Sequence, residues 1–236
     1  MGGAPSYSVG DAFNYGWTKF QANIGTIIIG VLAIFGIFLV LSIIGFVITA
    51  AGAESSIGEY NPNTGEFETS GGGFGFLASM LISTLLFFVG FLLTFVIYVG
   101  IIRASLDITY GRPVAVGTIF RFDNLAQLLL AALLVGIMVS VGSLLCYIPG
   151  LIVAFFTQYT AHFMVDKQMN ALDGIKASFG FVNKNLGTLI GFYIASVIAM
   201  FIGSLVCGIG LLLAMPVVII ASAYTYRTLQ GEQVAA

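Results

Sequence analysis

Stretches without a charged side chain alternate with short polar segments along the whole chain. The uncharged runs are Ile24 to Ala51, Phe74 to Ile102, Leu125 to Ile148, Leu151 to Val165, Leu186 to Val206 and Leu211 to Tyr226. They lack the two-residue alternation of a barrel strand, and hydrocarbon admits only helices or closed barrels, so the pattern predicts six transmembrane helices. The first run is about 42 Å long at about 1.5 Å per residue, against a hydrocarbon core of about 30 Å, so it has to tilt or project beyond the bilayer. The runs after the turns Tyr147 to Gly150 and Gly208 to Gly210 are short for a span, so their helices are expected to include turn residues.

Ahead of the first span, Phe13, Trp17, Phe20 and Ile24 recur at helical spacing, with Asp11, Asn14, Thr18 and Gln21 on the opposite face. Residues 1–23 therefore read as an interfacial amphipathic segment anchored by Trp17 and Lys19, and residues 24–236 as the six-helix transmembrane domain. The connection 52–73 carries Glu54, Glu59, Glu66 and Glu68 and no basic residue. It has turn chemistry at Asn61-Pro62-Asn63-Thr64-Gly65 and a flexible re-entry at Gly71-Gly72-Gly73. The first apolar run is too long for a signal peptide, so the N-terminal segment is expected to be retained although Ala51-Gly52-Ala53 imitates a cleavage site.

Composition agrees: 59% of residues are hydrophobic and 8% charged, with a mean hydropathy of +1.07. Soluble domains carry about 25% charge. Threading six spans alternately places Lys19, Arg103, Arg112, Arg121, Lys167, Lys176, Lys184 and Arg227, all eight basic residues, on one side. By the positive-inside rule that side is the cytoplasm, with both termini there and the Glu-rich loop outside. A net charge of −2 gives no case for nucleic acid, and no Lys/Arg block argues for a polybasic lipid switch.

The run Asn185 to Cys207 carries only small side chains at every fourth position: Gly187, Gly191, Ala195, Ala199 and Gly203, then Cys207. Lipid tails give no reason for such a stripe, whereas a second helix does, so these five glycines and alanines are the expected helix-packing interface. The chain also repeats itself. Gly142-Ser143-Leu144-Leu145-Cys146 returns as Gly203-Ser204-Leu205-Val206-Cys207, a shift of 61 that also carries Asn124 onto Asn185. A shift of 162 carries Asp11 and Asn23-Ile24-Gly25-Thr26 onto Asp173 and Asn185-Leu186-Gly187-Thr188. The expected fold is an all-α polytopic membrane bundle, its six helices forming three parallel-repeat helical hairpins with interfacial amphipathic helices.

Reactive constellations are sparse. His162 is the one histidine and no Asp, Glu, Lys or Arg falls within an uncharged run, so no cofactor, metal site or catalytic set is expected. Gln158, Tyr159 and His162 make the end of the fourth span polar and are candidates for a cavity lining, with helix-to-helix hydrogen bonding as the commoner use. Only Pro216 interrupts a span. Cys146 and Cys207 occupy equivalent outer positions and are a candidate disulfide, subject to Cα atoms within about 7 Å; the alternative is two small apolar residues at tight turns.

The segments Asn185-Leu186-Gly187-Thr188, Cys207-Gly208-Ile209-Gly210 with Pro216, and Ala223-Tyr224-Thr225-Tyr226-Arg227 are similar to those of the actinobacterial proline- and glycine-rich integral membrane proteins. More distantly they resemble the membrane domain of some glycerophosphodiester phosphodiesterases. The chain departs from the first group in having five prolines and no Pro-rich tail. That group includes a factor associated with the respiratory cytochrome bcc–aa3 supercomplex, so the resemblance implies an accessory, non-catalytic subunit docked in the bilayer against a larger membrane complex. Small-molecule or lipid permeation is the alternative, and a homo-oligomer is compatible with both.

Overall fold

A computed structural model describes residues 7–54, 59–68, 74–119, 123–205 and 209–236. It is a polytopic membrane bundle with six helices long and apolar enough to cross a membrane: Ile24–Ala50, Leu77–Thr109, Leu125–Leu144, Ile148–Asp166, Leu186–Leu205 and Gly210–Leu229. The backbone clusters into two compact units, Met1–Val31 with Val96–Ala236, and Leu32–Phe95.

In the smaller unit, helices α2 (Ile24–Glu54) and α3 (Phe74–Thr109) contribute their uncharged stretches, and Phe46, Leu81 and Phe87 face outward as lipid-exposed side chains. Thr49 Oγ1 and Ser83 Oγ lie 3.3 Å apart across the pair. The loop adds a short antiparallel hairpin, β1 (Glu59–Asn61) and β2 (Glu66–Glu68), with Tyr60 opposite Phe67. Its turn residue Gly65 takes φ +73°, a conformation that favours glycine, as the turn chemistry predicts.

The larger unit begins with α1 (Val9–Ala22). Ser8 caps its start, its hydroxyl accepting from the Asp11 N–H at 3.0 Å. Asn23 ends it, donating from Nδ2 to the Lys19 carbonyl and from its own N–H to Lys19 and Phe20. The chain turns there and α2 starts at Ile24. The same elbow recurs where α8 (Ala171–Lys184) meets α9 (Leu186–Leu205): Asn170 caps Asp173, and Asn185 bonds Phe181 and Val182. Every partner is 162 residues from its counterpart. Asn124, which the shift of 61 aligns with Asn185, instead takes φ +58° ahead of α5 (Leu125–Cys146) without a side-chain cap bond.

Between them lie α4 (Val116–Ile119), α6 (Ile148–Thr157) and α7 (Thr160–Asp166), and α10 (Ile209–Leu229) follows. Two hairpins close on glycine. A Cβ on Gly142 would lie 2.8 Å from the Gly150 nitrogen, and one on Gly210 would collide with the Gly203 carbonyl oxygen. Gly142 and Gly203 are 61 residues apart and do the same job. The last span is the most buried of the six, with Ile220, Ala221, Ala223, Thr225 and Tyr226 almost wholly enclosed. Against it α1 lays Ala12, Gly16 and Phe20, while Trp17 stays 45% exposed. The buried face of α1 thus keeps Phe20 and half of Phe13 from the apolar stripe that periodicity selects and leaves Trp17 out, with Ala12 and Gly16 taking the line of closest approach because only small side chains let α1 reach the α10 backbone.

Candidate functional site

The fourth span is not one helix, and Pro216 is not the only interruption. α6 stops at Thr157, whose hydroxyl donates back to the Val153 and Ala154 carbonyls, and α7 restarts at Thr160. Ser178 of α8 fills the gap. Its buried hydroxyl accepts from the Tyr159 N–H at 3.2 Å and donates to the Phe156 carbonyl at 2.7 Å, satisfying one donor and one acceptor that the break releases.

Around that break the structure brings Tyr159 and His162 together, with ring centroids 5.3 Å apart. Tyr226 packs on both, and Phe163 and Phe181 close the ring cluster. His162 Nε2 lies 3.5 Å from Ser222 Oγ. Gln158, the third expected member, is only half-buried as a residue. Four side-chain atoms here, Gln158 Nε2, Tyr159 Oη, Thr160 Oγ1 and His162 Nδ1, are buried with no hydrogen bond to protein, as is Thr228 Oγ1. Ser222 is the polar neighbour of the Tyr159 hydroxyl without completing a well-formed bond. Each such group costs about 1–3 kcal/mol, so four within one turn would cost roughly 4–12 kcal/mol, on the scale of a whole domain's stability.

One turn further on, at the basic end of the bundle, the polar groups are instead tightly matched. Asp166 accepts from Tyr110 Oη at 2.6 Å and Tyr226 Oη at 3.1 Å, and Lys167 Nζ is 3.2 Å from it. Arg227, buried, donates to Glu232 at 2.9 Å and to the Thr109 carbonyl at 2.9 Å, with its guanidinium 3.6 Å over the Tyr110 ring. Lys167 reaches Glu232 at 2.6 Å. The hydrogen bond to Glu232 holds the Lys167 ammonium above its ordinary range. Burial alone would raise the Glu232 carboxyl, but bonds from Lys167 and Arg227 outweigh it and hold the group below its ordinary value. Burial, then the bond to Asp166, pushes the Tyr110 phenol up. Beside this lock opens a cavity of about 280 Å³ lined by Arg103, Asp107, Tyr110, Arg112, Asp166 and Gln168.

Of the small stripe on α9, the structure brings one member, Gly203, into tight helix contact, against Gly210 and Ala214. Ala195 and Ala199 are half-buried, and Gly187 and Gly191 are exposed. A Cβ on Gly187 would meet nothing within 4 Å, and one on Gly191 only Val9 at 3.8 Å. The face that α9 buries in this half is Leu189, Phe192 and Ser196, since Phe192 packs at a tilt on Phe13 of α1, ring centroids 5.7 Å apart. Cys207 and the Cys146 side chain, the candidate disulfide, lie outside the described residues. Among the described residues no group of three or more His, Cys, Asp or Glu side chains comes together as a metal site.

Sequence reasoning missed Ser178, and it missed the lock of Asp166, Arg227 and Glu232. Ser178 had one signal, standing 162 residues after Gly16, so that both are small residues on the buried face of an elbow helix. The lock had none, because its members are far apart in sequence.

A family model described as "Domain of unknown function (DUF7847)" matches residues 89–235. The uncharacterized proteins Mb2590 of Mycobacterium bovis and Rv2560 of Mycobacterium tuberculosis are each 34% identical over 230 residues, which is 97% of this chain and 70% of the relative. No solved structure matches the chain.

Proposed function

The chain belongs to the family of the domain of unknown function DUF7847, and for it we propose an accessory, non-catalytic role: docking through helix packing against a larger membrane complex. The observation that carries this is the unused half of the α9 stripe. Gly187 and Gly191 offer a flat face that, among the described residues, meets only the Val9 side chain at its edge, while Gly203 on the same stripe shows what such a residue does when a helix is present. The resemblance to supercomplex-associated membrane proteins makes a respiratory cytochrome bcc–aa3 assembly the complex to test first. Gentle-detergent purification at native expression, followed by mass spectrometry, should return a stoichiometric membrane partner. Gly187→Leu should lose that partner with the melting temperature unchanged. A companion-free wild type, or a variant that keeps its companion, counts against the reading.

The orientation belongs to the same proposal: basic end and both termini cytoplasmic in a bacterial plasma membrane, the 52–73 loop outside. It is supported by the gathering of Tyr110, Arg112, Asp166, Lys167 and Arg227 at one end of the larger unit. In a background lacking Cys146 and Cys207, Thr64→Cys should label with impermeant thiol reagents on intact cells and Lys176→Cys only after lysis. The three-hairpin repeat is likewise proposed, supported by the matching elbows 162 residues apart and the matching Gly142 and Gly203 closures.

A second reading, permeation or lipid handling, is favoured by the interrupted fourth span with its buried polar groups, since broken helices in membranes commonly serve binding and transport. Flux and lipid-scrambling assays in proteoliposomes separate it from the first.

A further inference from the structure

The fourth span combines two features that hydrocarbon does not tolerate together. Its backbone is interrupted at Gln158 and Tyr159, and within one turn of that break four buried side-chain polar atoms find no partner in the protein. Irregular backbone at membrane depth persists where it is buried in protein or lines water. Ser178 repairs the backbone here, but among the described residues these four side-chain atoms complete no well-formed hydrogen bond.

We propose that the break is a water-binding site, in which a small internal water cluster is held by Gln158, Tyr159, Thr160 and His162 against Ser222 of α10. The set supplies what buried water requires, about three hydrogen bonds from a mixture of donors and acceptors. The amide nitrogen of Gln158 donates, the hydroxyls of Tyr159 and Thr160 do both, and the imidazole of His162 offers either role at Nδ1. The 3.5 Å between His162 Nε2 and Ser222 Oγ is at the outer limit of a direct bond, a spacing at which a bridging water competes.

The break is linked to the basic end by contact: Asp166 lines the cavity there, Tyr226 bonds Asp166 through its hydroxyl, and the Tyr226 ring packs on His162 and Tyr159. The inference is independent of which functional reading is correct, because a docking subunit and a permeation bundle would each have to satisfy these groups.

The chain has one histidine and one tryptophan, so ring-15N labels report two single places. Water-edited solid-state NMR of the full chain in proteoliposomes should transfer water magnetisation to the His162 ring within a few-fold of the rate at Trp17, although His162 is only 2% exposed against 45% for Trp17. A His162 ring that fills as slowly as the methyls of fully buried Ile220 would overturn the proposal. Thr160→Val removes one unpartnered hydroxyl at constant shape. With water bound, the variant should melt lower and slow the transfer to His162. A variant that melts higher, as expected when an unmatched polar atom is deleted from a dry core, overturns the proposal independently.

Discussion

The two elbow helices, α1 and α8, are written in one local code and supported in two different ways. Both are 14 residues long, both start on a side-chain cap to an aspartate N–H, and both end on an asparagine that folds back on the preceding turn. Both bury the same register: Ala12, Gly16 and Phe20 in one, Gly174, Ser178 and Val182 in the other. Beyond that they diverge. α1 rests on the backbone of α10, whereas α8 rests on the side chain of Met164 and reaches with Ser178 into the break of the fourth span. Caps and turns are therefore set by residues within four positions, while what a helix supports is set by which atom faces its small residue.

The sharpest way to break this comparison is to add one methyl to each helix. A Cβ at Gly16 would lie 2.6 Å from the Val217 carbonyl oxygen and 3.2 Å from the Ala221 nitrogen, so α10 itself must move. Gly16→Ala should cost about 2–3 kcal/mol in detergent unfolding. At Gly174 the obstacle is Met164 Cγ at 2.5 Å, a buried side-chain atom that can shift by re-rotating the methionine where a backbone carbonyl cannot. Gly174→Ala should therefore cost clearly less than Gly16→Ala. Equal losses at both sites would mean that the two helices are supported alike.

Next comes the hydroxyl that only α8 carries. Ser178→Ala leaves the Tyr159 N–H and the Phe156 carbonyl unmatched and should cost about 1–3 kcal/mol, with faster hydrogen exchange at the Tyr159 amide. A silent substitution would mean that the break stands without α8.

The caps should be alike where the supports differ. Ser8→Ala and Asn170→Ala should each cost about 1 kcal/mol. Asn170 should be the more costly, because its Nδ2 also bonds the Asp173 carboxylate at 2.7 Å. A difference well beyond that extra bond would show that the elbows share a sequence motif and not an energetic one.

These contrasts explain what could be read in the sequence. The spans, the elbows and the turn at Gly65 were legible because each depends on composition or on neighbours within four residues. The break at Gln158 was half legible: Thr157, Gln158, Tyr159 and Thr160 announce a polar helix end, but the repair by Ser178 needs a residue about 20 positions away. Which half of the α9 stripe is used within the chain was not legible, since Phe192, by packing on Phe13, leaves Gly187 and Gly191 facing outward. Four-residue periodicity names a flat face, and the largest neighbouring side chain decides which face is buried.

The smallest expected effect lies where the supports of the two elbows meet. α10 carries α1, α7 lies under α8, and the contacts of Lys167 with Asp166 and Glu232, and of Arg227 with Glu232, tie α7 to α10 and the segment after it. Glu232 has its folded pKa below its ordinary value of 4.5, so its contribution is present above 4.5 and disappears as pH falls through the lower folded value. Lys167 is raised above 10.5, so its contribution is present below 10.5 and is lost as pH rises through the higher folded value. Between those limits the tie should be flat with pH. Because both side chains are partly exposed, Glu232→Gln should cost only about 1 kcal/mol or less at pH 7, and less again in high salt. The measurement is the difference in melting temperature between wild type and E232Q from pH 7 down to pH 3. It should begin to shrink below pH 4.5 and vanish as pH falls through the lower folded value, where the native carboxyl becomes neutral. A difference that persists undiminished to pH 3 would show that Glu232 acts through packing, leaving the two elbows joined by contact rather than by charge.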